Sequence, residues 1–322
     1  MGMRQDEGLE MDAADIRMIA VVGAGLMGHG IAQEFALAGY DVNLHDLNDE
    51  RLGQATATIR KNLETSERTG SVEMESIADV MARIHASMVL ADVVTDADVV
   101  IEAVVEDLAI KQAVFRRLDD LCPERTILAS NTSTLLPSKL AEVTRRPDRV
   151  LVAHYFNPPY LLPLVEVVRH PGTSDATLAT VVELLTRVGK KPAILQREVP
   201  GFIANRLQAA LFREALSMVE QGIASPQDVD TVVKNGFGRR YAAAGPFETF
   251  DIAGLDVLLA VCQNLIPVID ASTEVPALLR GHVERGELGV KTGRGFYAWT
   301  PDSAEALKRR IGRALVAISN LS

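Results

Sequence analysis

His154 and Glu166, twelve positions apart, are the residues of this 322-residue chain best suited by type to move a proton. They stand in "AHYFNPPYLLPLVEVVRH", where His154 closes what reads as a buried strand over Arg149–Ala153. Asn157 and the Pro158–Pro159 pair stiffen the chain after it, and Glu166 returns inside a second apolar run, Leu161–Val168. An imidazole exchanges protons near neutral pH because its unperturbed pKa is about 6.5, and a neighbouring carboxylate fixes which ring nitrogen carries the proton. Taken alone, the two residues fit two descriptions: packed strands with satisfied polar groups, or a proton-transfer pair.

A second chemistry, the holding of a diphosphate, belongs to "IAVVGAGLMGHGIAQEFALAGYDVNLHD". Gly23, Gly25 and Gly28 make the G-x-G-x-x-G spacing between a strand and a helix, and the next strand ends at Asp46, eighteen residues after Gly28. The first glycine allows the tight turn, the second lets the backbone approach a pyrophosphate, and the third lets helix and sheet close together. Leu26 and Met27 complete the turn where unpaired N–H groups at the helix start would meet phosphate. Asp46 would accept from ribose hydroxyls and repel a 2′-phosphate, so the expected cofactor is NAD rather than NADP.

These residues need elements to position them, and the chain alternates strand and helix signals. Strands are expected at Arg17–Val22, Asp41–His45, Ala97–Ala103, Thr126–Ser130, Arg149–Ala153, Leu161–Val168 and Ala193–Gln196. Helices are expected at Met27–Leu37, Leu108–Leu121, Leu135–Val143 and Ala176–Val188, with an inserted helical hairpin over Leu52–Thr69 and Met74–Ile84. Such alternation implies an α/β fold, a Rossmann-type doubly wound and mostly parallel sheet with helices on both faces. After "REVPGF" the pattern is helical, with only a short strand piece at Gly295–Trp299, which predicts an all-α C-terminal domain. The expected division is 1–198 for nucleotide binding and 199–322 for the all-α domain.

Composition limits the alternatives. A net charge of −10 opposes nucleic-acid binding, which needs a basic face. No apolar run approaches the roughly 20 residues of a membrane span, and the acidic opening segment has no signal-peptide pattern. A cytoplasmic protein with a small-molecule substrate is expected. The two cysteines, Cys122 and Cys262, give neither a disulfide framework nor metal spacing. No metal site is expected.

The chain resembles the L-3-hydroxyacyl-CoA dehydrogenase family from Ile19 to about Trp299. The resemblance is carried by "VVGAGLMGHGIAQ", "VIEAVVEDLAIKQAVFRRLD", "ILASNTSTL", "AHYFNPPYLLPLVEVV", "VPGFIANRL", "GPFETFDIAGLD" and "KTGRGFY", in that order. It implies that His154 is the general acid/base, that Glu166 orients it, and that Ser133 and Asn205 contact the substrate oxygen. Around the cofactor it implies Glu106, Lys111, Asn131, Ser133, Asn157 and Lys291, and it implies a homodimer. By residue type alone, Glu106 and Lys111 also fit a solvated pair at the surface. The activity implied is reversible NAD-dependent oxidation of an L-3-hydroxyacyl-CoA to the 3-ketoacyl-CoA.

Three stretches depart from the acyl-CoA pattern. "RKNLETSERTG" follows Arg60 and Lys61 with Glu64 and Glu67, where acyl-CoA members carry a lysine cluster. Pro163 stands at a position that is usually lysine, and "GFGRRYAAAGPFE" over Gly236–Glu248 is longer than the usual loop. In these the chain looks more like the L-gulonate, carnitine and lambda-crystallin branch, and Arg239 and Arg240 fit either a bidentate clamp on a substrate carboxylate or plain surface charges. The alternative functions are therefore a dehydrogenase of a free 3-hydroxy acid, or a non-catalytic NAD-binding structural protein.

Overall fold

Residues 11–69 and 76–319 are described by the computed structural model. Contacts group the chain into two units, Met1–Asn205 and Arg206–Ser322. The first holds strands β1 (Met18–Val22), β2 (Asp41–His45), β3 (Ile84–Ser87), β4 (Val99–Glu102), β5 (Ile127–Ser130), β6 (Val150–Tyr155), β7 (Leu164–Val168) and β8 (Lys191–Leu195). Its helices are α1 (Gly28–Leu37), α2 (Asp49–Thr69), α3 (Ile77–Ala82), α4 (Leu90–Val94), α5 (Leu108–Leu121), α6 (Pro137–Ala141) and α7 (Asp175–Arg187).

The eight strands make one sheet in the order β3-β2-β1-β4-β5-β6-β7-β8. Every pairing is parallel except β6 with β7. The inner strands β1, β4, β5 and β6 are buried along almost their whole length because both faces of the sheet are covered there. In β1, Ile19 and Val21 join a core built with Phe35, Ile59, Leu63 and Leu184, whereas Ala20 and Val22 face Phe115, Leu118 and Leu140. Side-chain caps fix helix starts: Asp107 accepts from the Ile110 N–H at 2.9 Å and Ser174 from the Thr177 N–H at 3.0 Å. Such caps contribute about 1 kcal/mol each. Cys122 lies in the second core, and burial pushes its thiol up to about 12, consistent with an inert filler.

Three expectations are corrected. The helix predicted over Met74–Ile84 is only α3 among the described residues (74 and 75 lie outside them), and the chain then enters strand β3. Ile77, Val80, Met81 and Ile84 keep a helical spacing across that change, but β2 offers an open edge, and Val42 N–H already donates to Arg83 O at 2.9 Å. The strand predicted to end at Ala153 continues through Tyr155, which places His154 inside β6. The piece over Gly295–Trp299 is not a strand: its Ala298 makes one isolated bridge, to Arg294, which itself bridges Gly289 near the positive-φ Gly293.

Helix α8 (Ala204–Glu220) begins with the last two residues of the first unit. The second unit adds α9 (Pro226–Asn235), α10 (Phe237–Tyr241), α11 (Pro246–Ala253), α12 (Leu255–Leu265), α13 (Ala277–Glu284) and α14 (Pro301–Ser319). Among its described residues there is no strand. Among the described residues no helix is long and apolar enough to cross a membrane.

Candidate active site

The antiparallel pairing of β6 and β7 explains the spacing of twelve. His154 and Glu166 are direct cross-strand partners, so their side chains emerge on the same face of the sheet. His154 Nδ1 lies 2.9 Å from Glu166 Oε2, with both side chains buried. Since an ionised carboxylate only accepts, Nδ1 carries the proton in this pair and Nε2 is left for chemistry. Phe156 and Phe202 flank the imidazole, with ring centroids at 4.6 and 5.6 Å.

Glu166 is held from its other oxygen as well. Oε1 accepts from the N–H groups of Ile203 at 2.9 Å and Ala204 at 2.8 Å, at the start of α8. Gly201 at φ 78° and Phe202 at φ 51° turn the chain so that these two donors face the carboxylate. A left-handed phenylalanine costs energy, roughly 1–3 kcal/mol, and such residues concentrate at functional sites. Burial pushes the Glu166 carboxyl up, but the hydrogen bonds from His154, Ala204 and Ile203 outweigh it and hold it below the usual carboxylate range. The carboxylate therefore stays ionised beside the imidazole.

Ser133 is set by a neighbouring loop. Glu106 Oε1 accepts from Thr132 Oγ1 and Thr134 Oγ1 and from the N–H groups of Ser133 at 3.1 Å and Thr134 at 3.2 Å. Burial raises the Glu106 carboxyl, and its bond from Thr132, the Lys111 charge and the bonds from Thr134 and Ser133 bring it below the usual range. Lys111 is not a solvated partner: it is 1% exposed, with its ammonium 2.7 Å from Glu102 Oε1, 3.2 Å from Val104 O and 3.5 Å from Glu106 Oε2. All three donors are directed at protein acceptors, so Lys111 acts on the site through Glu106 and the Val104 turn. Asn131 Oδ1 accepts from the Tyr155 N–H at 2.8 Å, tying the ends of β5 and β6 together. Asn205 Nδ2 donates to Ser133 O at 3.1 Å, which brings Ser133 and the start of α8 together.

The glycine turn has the shape a dinucleotide requires. A Cβ on Gly23, at φ 107°, would lie 2.6 Å from Ala103 O, and one on Gly28 would meet Gly23 O. A Cβ on Gly25 would meet nothing within 4 Å: this is open space through which a pyrophosphate can reach the backbone. Helix α1 carries no acidic residue in its first turn to oppose an anion. Asp46, just past the end of β2, accepts from the Ala24 N–H at 3.0 Å and the Asn48 N–H at 3.2 Å. Leu26 is exposed and Met27 half-buried at the helix entrance. The residues present fit a bound dinucleotide.

A doubly wound sheet with such a turn after β1 and an imidazole–carboxylate pair on β6 and β7 has the architecture of the dinucleotide-dependent oxidoreductases. The family model for the 3-hydroxyacyl-CoA dehydrogenase NAD binding domain matches residues 18–199, and that for the C-terminal domain matches residues 201–299. The chain belongs to the 3-hydroxyacyl-CoA dehydrogenase family, a family of NAD-dependent oxidoreductases, and its cofactor is NAD. It is 39% identical over 284 residues to the probable 3-hydroxybutyryl-CoA dehydrogenase of Bacillus subtilis (strain 168), covering 88% of this chain and 97% of that one. It is 35% identical over 297 residues to the lambda-crystallin homolog of Homo sapiens, covering 91% of each. Among solved structures, 5-formyl-3-hydroxy-2-methylpyridine 4-carboxylic acid 5-dehydrogenase superposes with a TM-score of 0.89 at 32% identity, over 95% of this chain and 98% of that one.

Of the residues singled out from sequence, the first unit collects Gly23, Gly25, Leu26, Met27, Gly28, Asp46, Glu106, Lys111, Asn131, Ser133, His154, Asn157, Glu166 and Asn205. Asn157 is exposed in the loop after β6. Lys291 lies in the second unit, exposed in the turn between Gly289 and Gly293. Two contributors escaped sequence reasoning. Glu102, fully buried at the end of β4, accepts from Lys111, from Ser130 Oγ at 2.6 Å and from the Val104 N–H at 2.7 Å. The signal was a glutamate inside the apolar strand "VVIE". His29 bonds Gly25 O through Nδ1 at 2.9 Å and so steadies the glycine turn.

Proposed function

We propose that the protein catalyses the reversible, NAD-dependent oxidation of an L-3-hydroxyacyl-CoA, such as L-3-hydroxybutyryl-CoA, to the 3-ketoacyl-CoA. The observation that supports this best is the buried His154–Glu166 pair, which commits Nδ1 to the carboxylate and frees Nε2. NAD, when bound, accepts the hydride from the carbinol carbon. In this reading His154 Nε2 takes the hydroxyl proton as the C–O bond becomes a carbonyl, and returns it in the reverse direction. Glu166 stabilises the imidazolium so formed, because it is already ionised and fixed by two backbone donors. Ser133 and Asn205, joined by their own hydrogen bond, hold the substrate oxygen. The names of the bacterial relatives support the thioester as substrate.

A second reading, oxidation of a free hydroxy acid, is favoured by specific features. The TM-score of 0.89 is to a dehydrogenase of a pyridine carboxylate. A groove of about 860 Å³ between α2 and the chain after β3 is lined by Arg60 and Lys61 but also by Asp49 and Glu64. Two carboxylates beside two cations weaken a polyphosphate site. Arg239 and Arg240, both exposed on α10, suit a carboxylate substrate. NADH consumption with acetoacetyl-CoA, set beside NAD reduction with free L-3-hydroxybutyrate, L-gulonate and L-carnitine, decides between the two. Turnover of the thioester alone supports the first reading and turnover of a free acid alone the second. NADH binding without turnover of any of them would leave the non-catalytic alternative.

We further propose that the working form is a homodimer built through the second unit. Among its described residues only Ser217 and Ala304 are buried, while Phe247 and Ile252 are 83% and 86% exposed. Apolar helices left so open are covered in stable proteins by another surface. A family whose resemblance implies a dimer supports a second copy of this chain as that surface.

A further inference from the structure

The loop that follows His154 is poor in the groups that normally hold a loop. Pro158 and Pro159 have no N–H, so this part of the chain can be anchored only through its carbonyls and its packing. Pro158 O accepts from the N–H groups of Leu161 and Leu162, both at 3.0 Å, which closes the loop on itself. At the far end of the loop Pro163 O accepts from the Lys191 N–H of β8 at 2.8 Å, and in its middle Pro159 O accepts from Lys190 Nζ at 2.7 Å.

Lys190 lies just before β8 and is 4% exposed. Its ammonium also forms a buried ion pair with Glu34, on the cofactor helix α1. Burial raises the Glu34 carboxyl and the Lys190 charge works against that rise; the Glu34 charge in turn adds to the upward push that burial gives the Tyr155 phenol. The phenol oxygen of Tyr155 is buried without a hydrogen-bond partner, so Tyr155 does not share in holding the loop by a bond. The loop also rests directly on α1: a Cβ on Gly30 would come within 3.1 Å of the Pro159 ring. One ammonium thus ties together the helix that opens at the diphosphate turn, the strand β8 and the loop that carries Asn157.

We infer that the Lys190–Glu34 ion pair, seated with Gly30 against Pro159, is a positioning device that sets the height of the Asn157 loop above the cofactor helix, and so the affinity for NAD. The inference rests on the contact of Asn157 with the cofactor that the family resemblance implies. Neither residue touches a ligand; they act through the loop. A lysine in this place reaches both the carboxylate and the proline carbonyl, which an apolar replacement of similar size cannot do.

The test is titration of the full-length protein with NADH, followed by its fluorescence, together with steady-state kinetics. In the Glu34→Leu/Lys190→Met double variant no buried charge is left alone, so loss of fold is separated from loss of the anchor. The expected result, with the variant folded by circular dichroism, is a rise of tenfold or more in the Kd for NADH and the KM for NAD, with kcat at saturating NAD within threefold. Lys190→Arg, which keeps the charge and donors, is expected to restore most of the affinity. Gly30→Ala leaves the ion pair intact, suits a helix, and presses on Pro159; it is expected to weaken NADH binding several-fold. A folded double variant or Gly30→Ala protein that binds NADH like the parent would overturn the inference. So would an unchanged Kd in Asn157→Ala, since the contact acted upon would not exist. Failure of every 3-hydroxy substrate to turn over, with these affinity changes present, would remove the substrate reading and leave the positioning role standing.

Discussion

Glutamine in place of His154 keeps a polar group opposite Glu166 but removes the one nitrogen free to take a proton. His154→Gln is expected to lower kcat by about 10²–10⁴-fold, the usual contribution of a positioned acid–base group. The Kd for NADH, measured by fluorescence, should stay within a few-fold, because the diphosphate turn and Asp46 follow β1 and β2 rather than β6. Equal losses in both would contradict a proton-transfer role. Glu166 makes a prediction about pH. Its carboxyl is held below the ordinary value of 4.5 in the folded protein, so its stabilising contribution is complete above that pH and is lost as pH falls through the lowered value. Glu166→Gln is therefore expected to start less stable at neutral pH and to lose less on acidification from about pH 5 to pH 2. Parallel acid limbs in denaturant titrations of variant and parent would show that Glu166 carries no such linkage.

At the scale of elements, the dyad is an outcome of pairing. A parallel β7 would not have set Glu166 directly opposite His154; the antiparallel hairpin does. The start of α8 then delivers two N–H donors to the same carboxylate. Proline is tolerated at the first position of a helix, so Ala204→Pro deletes one of these donors without breaking α8. The variant is expected to fold, and its acid limb of kcat should move to higher pH as the Glu166 carboxyl rises toward the usual range. An unmoved limb would mean that the backbone donors do not tune the pair. The glycine turn, the helix after it and Asp46 were legible from spacing alone, because only glycine fits where a Cβ would strike Ala103 O or Gly23 O. Strand β3 was not, since the apolar spacing of α3 runs on into it and only the open edge of β2 makes it a strand.

For the whole molecule, the proposed dimer is the surface that would cover the exposed apolar helices of the second unit, which ties stability to association. Light scattering is expected to give twice the chain mass at micromolar concentration, and the thermal midpoint should rise with protein concentration, as linkage to association requires. Phe247→Asp combined with Ile252→Asp should shift the population toward monomer and lower that midpoint. A monodisperse monomer with a concentration-independent midpoint would refute the dimer.

The sequence by itself determined the doubly wound architecture, the NAD turn and the candidate residue types, since strand–helix alternation and glycine spacing are local and survive in one dimension. It could name His154 and Glu166 but not choose between a packed pair and a reactive one, and it left Lys111 and Glu106 open to a solvated reading. The tertiary structure set His154 and Glu166 in hydrogen-bond contact and buried Lys111 among protein acceptors. Pairing direction, burial and the count of acceptors around a charge depend on residues distant in the chain, as where Glu102 meets Ser130, Glu166 meets Ala204, and Lys190 meets Glu34.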